Sequence, residues 1–212
     1  ITRGFNNPEL NFIEAWSVTL AFSMKLYFDF SGYMDMALGI SRMFNVEIPL
    51  NVNSPYLSTN IKDFWRRWHI TLGRWIKDFI YMPLGGRRVN FVRAQFNLIA
   101  IFILVGIWHG AAWSFVAWGL AHGAAMVVHR VWMLSGKTLP KVLSIFITFL
   151  FVNFAWVLFR AENFSTALKV WVGMLGMNGF GMSKAQGTVN SGVLNSVTTF
   201  AQDFMTILAN LG

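Results

Sequence analysis

Two stretches of the chain are long, apolar and free of charge. Ala94 to His129 contains no Lys, Arg, Asp or Glu, and neither does Val142 to Phe159. A helix needs about 20 apolar residues to cross a bilayer core of roughly 30 Å. The first stretch is long enough for two crossings with a turn near 106–112. We therefore predict a transmembrane hairpin over 94–129 and a transmembrane helix over 142–160.

The N-terminal part of the chain is also apolar, but polar residues interrupt it. Residues 11–28 are long enough for one span, and residues 26–44 follow directly with Asp29 and Asp35 among them. Lipid tolerates neither charges nor unpaired backbone groups at depth. We therefore expect 26–44 to be a broken helix or one that is buried in protein. Residues 45–58, with two prolines and several asparagines, and residues 174–192, rich in Gly, Asn and Ser, are predicted as loops.

The segment 61–81 has the periodicity of an amphipathic helix. Ser58, Thr59 and Asn60 offer side chains for the N-cap, and Asp63 in the first turn complements the helix dipole. At about 100° per residue, one face is aromatic and aliphatic and the opposite face is cationic. The two sets are Phe64, Trp65, Trp68, Leu72, Trp75, Ile76 and Phe79 against Arg66, Arg67, Arg74 and Lys77. This pattern is typical of a helix that lies along the membrane interface, and we predict one over 61–81.

Composition supports a membrane protein. The 212 residues are 55% hydrophobic and only 12% charged, with a net charge of +8. The cations lie beside the apolar spans and are interleaved with Trp, as interfacial anchors are, so we expect a bilayer and no nucleic acid as partner. The absence of cysteine excludes disulfides, cysteine-ligated metals and thiol nucleophiles. The predicted fold class is an all-α polytopic membrane protein with transmembrane helices and interfacial amphipathic helices.

The distribution of cations predicts the orientation. Residues 62–93 and 130–141 carry basic clusters at the two feet of the predicted hairpin, and the positive-inside rule assigns both to the cytoplasm. His109 is then 16 residues above Arg93, about 24 Å at 1.5 Å per residue. It would lie inside the membrane, nearer to the outer face.

Four histidines are candidates for chemistry. His109 lies among apolar residues, where polar groups are costly and usually functional, and its neutral imidazole can act as a general base. A hydrogen bond between helices is the alternative role. His69, at the rim of the amphipathic helix, is either functional or an interfacial anchor. His122 and His129 share one helix face without a carboxylate at metal-ligand spacing, and we interpret both as structural. No metal site is predicted.

Asp29 and Asp35 are expected to be buried. They are candidates for pairing with basic residues such as Arg66 or Arg74 inside the bundle, or for shaping a donor path. Six residues apart, they lie on different helix faces, which argues against a paired-carboxylate acid/base site.

Four motifs in this order resemble the membrane-bound O-acyltransferase family. Within it, they are most similar to the membrane subunits that O-acetylate alginate and other bacterial cell-surface polymers. The motifs are Tyr-Phe-Asp-Phe-Ser-Gly-Tyr-Met-Asp-Met-Ala at 27–37, Phe-Trp-Arg-Arg-Trp-His-Ile-Thr-Leu at 64–72, Tyr-Met-Pro-Leu-Gly-Gly at 81–86 and Gly-Ile-Trp-His-Gly-Ala-Ala-Trp at 106–113. The resemblance implies that residues 1–212 are one membrane domain, the C-terminal part of a longer protein.

The resemblance also implies a reaction. His109 would be the catalytic histidine and His69 the second one. The implied substrate-binding residues are Trp108, Asp29, Asp35, Trp65 and Arg66. Acetyl-CoA is the implied donor, with no permanently bound cofactor. The acceptor would be a hydroxyl of an extracytoplasmic, alginate-like polysaccharide or of a periplasmic relay protein, and the location would be a bacterial inner membrane crossed several times. A transporter and a non-catalytic scaffold subunit remain alternatives.

Overall fold

The computed structural model describes residues 2–5, 9–86 and 88–180, and these residues are mainly helical. Asn11 caps the first long helix by accepting a hydrogen bond from the Glu14 N–H, and the Glu14 carboxylate accepts one from the Asn11 N–H. The helices are α1 (Thr2–Phe5), α2 (Phe12–Met43), α3 (Ile61–Arg67), α4 (Ile70–Ile76), α5 (Phe91–His109), α6 (Trp113–Leu134), α7 (Lys141–Arg160) and α8 (Phe164–Met174), with a 3₁₀ turn at Pro55–Leu57 and a π-helix at Lys77–Tyr81.

In the part of the chain that the structure describes, two helices, α5 and α7, are long and apolar enough to cross a membrane. Helices α5 and α6 form a hairpin whose turn lies at 110–112, as the sequence predicts. Helix α7 covers the predicted span 142–160. Helix α8 was not predicted, and Asn163 caps it through its side chain.

Glycines allow α5 and α6 to approach closely. A Cβ built on Gly119 would lie 2.2 Å from the backbone oxygen of Phe102, and one built on Gly106 would lie 2.2 Å from that of Phe115. Helix pairs in membranes use such small residues because no hydrophobic force between helices replaces close backbone packing. The contact lies within one turn of His109 at Gly106, so it fixes the end of α5 against α6.

Replacing Gly119 should separate the hairpin. We expect Gly119→Leu to lower the free energy of unfolding by about 1–3 kcal/mol, the usual cost of overpacking. The matched control is Gly39→Leu in α2, where an added Cβ would meet nothing within 4 Å. Thermal unfolding of the two variants in detergent measures the difference. Equal melting temperatures would show that the close approach at Gly119 does not matter for stability.

Helix α2 is packed at its N-terminal half and exposed beyond it. The buried hydroxyl of Ser23 donates to Oδ1 of Asn153 in α7 at 2.6 Å, and the indole N–H of Trp16 donates to the Met174 carbonyl at 3.0 Å. The C-terminal half instead carries exposed apolar side chains such as Tyr33 and Met36. The expectation that 26–44 is broken or buried is therefore wrong for the described residues. It continues the preceding helix without interruption because no proline or glycine turn ends it.

The segment 61–81 is not one continuous helix. The prediction is correct for the cap at Asn60, but the helix ends at Arg67 and restarts at Ile70, with His69 left-handed between them. The break occurs because loop 51–53 pairs with the chain there: Val52 forms an antiparallel bridge with Trp68. The aromatic side chains of α3 pack on α6 and α7 within the protein. The orientation of this segment relative to a bilayer stays a prediction.

The structure describes the first of the two predicted loops completely and the second only in part. Residues 45–58 are irregular apart from the Val52 bridge and the turn at Pro55–Leu57, whose Tyr56 hydroxyl donates to the Ser23 carbonyl at 2.9 Å. The predicted loop 174–192 begins where α8 ends, and its residues from 181 onward lie outside the described residues.

Candidate functional site

His109 is the last residue of α5 and lies within a cage of aromatic rings. Its ring centroid is 4.8 Å from that of Trp108, 5.3 Å from that of Trp118 and 5.1 Å from that of Phe159. The side chain is only half-buried, so one part of the imidazole remains accessible. A histidine in this position can exchange a proton with a substrate while the rings keep bulk water away from its other side.

Trp118 is the centre of the aromatic cluster. It is completely buried, and its ring lies 4.8 Å from His122 and 6.0 Å, stacked, from Trp156. His122 is also fully buried, and its Nδ1 accepts a hydrogen bond from the indole N–H of Trp65 at 3.3 Å. This pairing agrees with the structural role predicted for His122. It also ties α3 to α6 directly below His109.

His69 has an unusual backbone conformation. Its φ of 50° and ψ of 54° place it in the left-handed region, which is costly for a residue with a side chain and is found mainly where the surrounding structure enforces it. The imidazole packs against Phe30 of α2 at 5.0 Å, and its buried Nδ1 has no hydrogen-bond partner among the described residues. His69 lies between α3 and α4, outside the spanning helices, and partial burial lowers its pKa below the ordinary 6.5. The ring is therefore neutral at physiological pH.

The two histidines lie in the same region of the protein. A chain of ring contacts connects them. Trp68, next to His69, contacts Trp156 at 5.7 Å, and Trp156 contacts Phe159, which lies against His109. The fold thus brings together two histidines that are 40 residues apart in the sequence. Neither of their roles follows from proximity alone.

A large cavity has lining residues close in sequence to both histidines. It has a volume of about 1490 Å³ and lies between the segment 62–88 and the α5–α6 hairpin. Val105, which lines it, is one helical turn before His109, and Ile70, which also lines it, directly follows His69. The apolar side chains of its wall include Leu98, Ile101, Phe102 and Met126. The cationic side chains of its wall are Lys62, Arg66, Arg74, Lys77, Arg88 and Arg130.

Residues 7–171 match the membrane-bound O-acyltransferase family. The chain belongs to this family. Its membership explains why charged and histidine side chains occur among helices apolar enough to span a membrane, and it establishes a membrane protein.

Several members of the O-acyltransferase family are similar to this chain. The chain is 53% identical over 181 residues to a peptidoglycan O-acetyltransferase of Helicobacter pylori, covering 83% of the chain and 34% of the relative. It is 41% identical to a probable alginate O-acetylase of Azotobacter vinelandii, covering 80% and 34%. A teichoic acid D-alanyltransferase of Bacillus subtilis is 34% identical, covering 68% and 40%. The chain thus spans about a third of the length of these O-acyltransferases.

The predicted substrate-binding residues fall in different places. Arg66 lies in the cavity wall, and so does Trp65, which also bonds to His122. Trp108 contacts His109 but is 64% exposed. Their roles in binding stay predictions.

The predicted burial of Asp29 and Asp35 is wrong for the described residues. Both are exposed, and Asp29 forms an ion pair with Lys25 one turn earlier on α2, not with Arg66 or Arg74. Neighbours at i and i+4 on a helix meet without any tertiary contact, which is why the local partner prevails. Asp35 lines a separate pocket of about 430 Å³ together with Ser31 and Asn53.

Two residues of the site escaped the sequence analysis. His129, interpreted as structural, lies in the cavity wall, and its place one residue before Arg130 at the basic end of the hairpin was the available signal. Asn51 is buried and bonds to the start of α4 directly after His69. No sequence signal distinguishes it from the other asparagines of its loop.

Proposed function

We propose that the full-length protein transfers an acetyl group from a cytoplasmic thioester donor to a hydroxyl of an extracytoplasmic cell-envelope glycan. The observation that carries this proposal is the cavity lined by Val105, one turn before His109 on α5, and by Ile70, which follows His69 in the chain. Membership of the O-acyltransferase family supports the acyl transfer. The names of the relatives from Helicobacter pylori and Azotobacter vinelandii support the acetyl group.

The chemistry of the cavity suits acetyl-CoA. Its cations complement the phosphates of a coenzyme A donor, because arginine and lysine bind phosphate through charge-assisted hydrogen bonds. The apolar side chains of its lining suit the uncharged pantetheine arm. The basic residues beside the apolar helices favour a cytoplasmic location for this end of the cavity. The proposed location is thus a bacterial inner membrane crossed several times, with the acceptor on the opposite side.

In the proposed mechanism His109 acts as the general base. Its imidazole takes the proton from the acceptor hydroxyl, and the oxygen forms a bond to the thioester carbonyl carbon. His69 donates a hydrogen bond to the carbonyl oxygen as that atom becomes negative. The C–S bond then breaks, and the thiolate takes the proton from the His109 imidazolium. The products are the acetyl ester and free thiol.

The acceptor proposed first is peptidoglycan, since the relative with 53% identity is named for it and the one with 41% identity for alginate. A periplasmic protein that carries the acetyl group onward is the other proposed acceptor. Purified full-length protein, labelled acetyl-CoA and soluble peptidoglycan fragments test the first case. Label that becomes attached to the fragments and is released by mild alkali supports direct transfer, and no label on them argues against it.

The cationic wall predicts a selective effect on donor binding. Removing one charge-assisted bond to phosphate in Arg66→Gln or Arg74→Gln should raise KM for acetyl-CoA about tenfold. The value of kcat should change little, since in this proposal the two arginines bind the phosphates of the donor and not the reacting thioester. Arg93→Gln is the matched control, because Arg93 is an exposed cation in the first turn of α5 that does not line the cavity. An unchanged KM in both cavity variants would contradict this assignment of the donor site.

A further inference from the structure

Asn51 accepts hydrogen bonds from the two residues that directly follow His69 in the chain. Helix α4 begins with His69 in the N-cap position, yet the His69 side chain makes no capping bond. The first N–H groups of a helix have no partner within it and need one from outside. Normally the N-cap side chain supplies that partner from an extended backbone conformation. Here the N-cap residue is left-handed, and a different part of the chain provides the oxygen.

Asn51 is the residue that provides it. Its carbonyl oxygen accepts from the Ile70 N–H at 3.0 Å, and its side-chain Oδ1 accepts from both the N–H and the hydroxyl of Thr71 at 2.9 Å each. Its Nδ2 donates to the sulfur of Met34 in α2 at 3.6 Å. Asn51 is only 6% exposed. One buried side chain therefore joins α2 to the start of α4.

The adjacent residues complete the constraint on His69. The Asn53 N–H donates to the Arg67 carbonyl at 2.9 Å, so the loop holds the chain on the side before His69 as well as after it. A left-handed non-glycine residue persists only when its surroundings over-determine it. With the cap supplied from the loop, the His69 imidazole is not needed for capping. It packs instead against Phe30 of α2.

We propose that Asn51 is the positioning residue of His69: it caps α4 in place of the histidine and so holds the left-handed backbone that presents the imidazole to the reacting thioester. This inference rests on the proposed function, because it assigns Asn51 a role in the same transfer. Asn51 does not touch the reacting atoms. Its contribution is made through the position of His69, where a displacement of about 1 Å can cost a hundredfold in rate.

The test is steady-state kinetics of the full-length protein with acetyl-CoA and glycan fragments. Asn51→Ala should lower kcat about tenfold to a hundredfold with little change in KM for acetyl-CoA. Asn51→Asp should keep most of the activity, since a carboxylate still accepts both bonds from Thr71 and is favourable at a helix N-terminus. The matched control is Asn163→Ala, because Oδ1 of Asn163 accepts from the N–H and the hydroxyl of Thr166 at 2.9 and 3.1 Å, at the start of α8. Its kcat should stay near that of the unsubstituted protein.

A double variant separates positioning from general stability. If Asn51 acts through His69, Asn51→Ala should lower the rate of the His69→Ala protein, which has lost the side chain that Asn51 positions, by less than about threefold. A double variant whose loss of rate equals the product of the two single losses would overturn the proposal. An unchanged kcat in folded Asn51→Ala would overturn it as well. If Asn51→Ala does not fold, Thr71→Val replaces it, because this substitution removes the hydrogen bond from the Thr71 hydroxyl to Asn51. Its loss of rate must then also be non-additive with the substitution of His69, and additive losses overturn the proposal. Absence of transfer by the unsubstituted protein would overturn the proposed function, and with it a role of Asn51 in that reaction.

Discussion

His109→Gln should leave the full-length protein about as inactive as His109→Ala. A general base contributes about 10²–10⁴-fold to the rate, and the glutamine amide cannot accept the proton that imidazole takes. Both variants should lose kcat by about this factor while KM for acetyl-CoA changes little. The cavity wall ends one turn below His109 at Val105, so the donor site should stay intact. Measurement of acetyl transfer to glycan fragments gives both parameters.

The structure offers a matched control for these variants. Leu104 lies on α5 within two turns of His109 and is 48% exposed, and no described ring of the cluster depends on it. Leu104→Ala should retain kcat and should differ little in thermal unfolding from the histidine variants. Substantial transfer by His109→Gln would show that the side chain orients or stabilises by hydrogen bonding. The base would then have to be another group, with His69 the nearest candidate.

The loss of kcat on substitution of His69 should depend on whether the new side chain can donate a hydrogen bond. Loss of one donor to a developing oxyanion costs about 10²–10³-fold in kcat, which is the loss expected for His69→Ala. His69→Gln retains an N–H donor of similar reach and should be clearly more active than His69→Ala. These values are obtained from the same transfer assay. Equal activity of the two variants would contradict a hydrogen-bonding role.

The left-handed backbone of His69 supplies a further control. Glycine adopts this conformation at no steric cost, whereas alanine does not. His69→Gly should therefore be as inactive as His69→Ala but should have the higher melting temperature of the two. This order separates the loss of the imidazole from the strain of the backbone. A lower melting temperature for His69→Gly would show that the left-handed conformation is not the constraint at this position.

The sequence predicts the positions of the long apolar helices well, because length and absence of charge determine them, and their crossing of a membrane stays a prediction. The hairpin 94–129 and the helix 142–160 correspond to α5, α6 and α7 within a few residues. The glycines that set the α5–α6 distance carry no such signal, since the same residue type also occurs at turns. Their role becomes evident only from the 2.2 Å approach at Gly106 and Gly119.

The segment 61–81 shows where sequence periodicity fails. Its aromatic and cationic faces predict one helix, and the aromatic face does bury its side chains at Phe64 and Trp68. The interruption at His69 depends on tertiary bonds from Asn51 and Asn53, which no local pattern reveals. The prediction for Asp29 failed for the opposite reason. It assigned a distant cation as partner, whereas Asp29 pairs with Lys25 one turn earlier on the same helix. Tertiary contacts thus decide the geometry of the site, although its two histidines stand out in the sequence.

Acetyl transfer across the membrane of inverted vesicles tests the account most directly. Vesicles that contain the full-length protein expose the cytoplasmic face outward, and glycan fragments and periplasmic proteins are enclosed within them. Labelled acetyl-CoA added outside should yield O-acetylated fragments inside, and vesicles with His109→Ala should yield almost none. Label that stays outside, or equal label in the two preparations, would contradict transfer by His109 from a cytoplasmic donor to an extracytoplasmic hydroxyl.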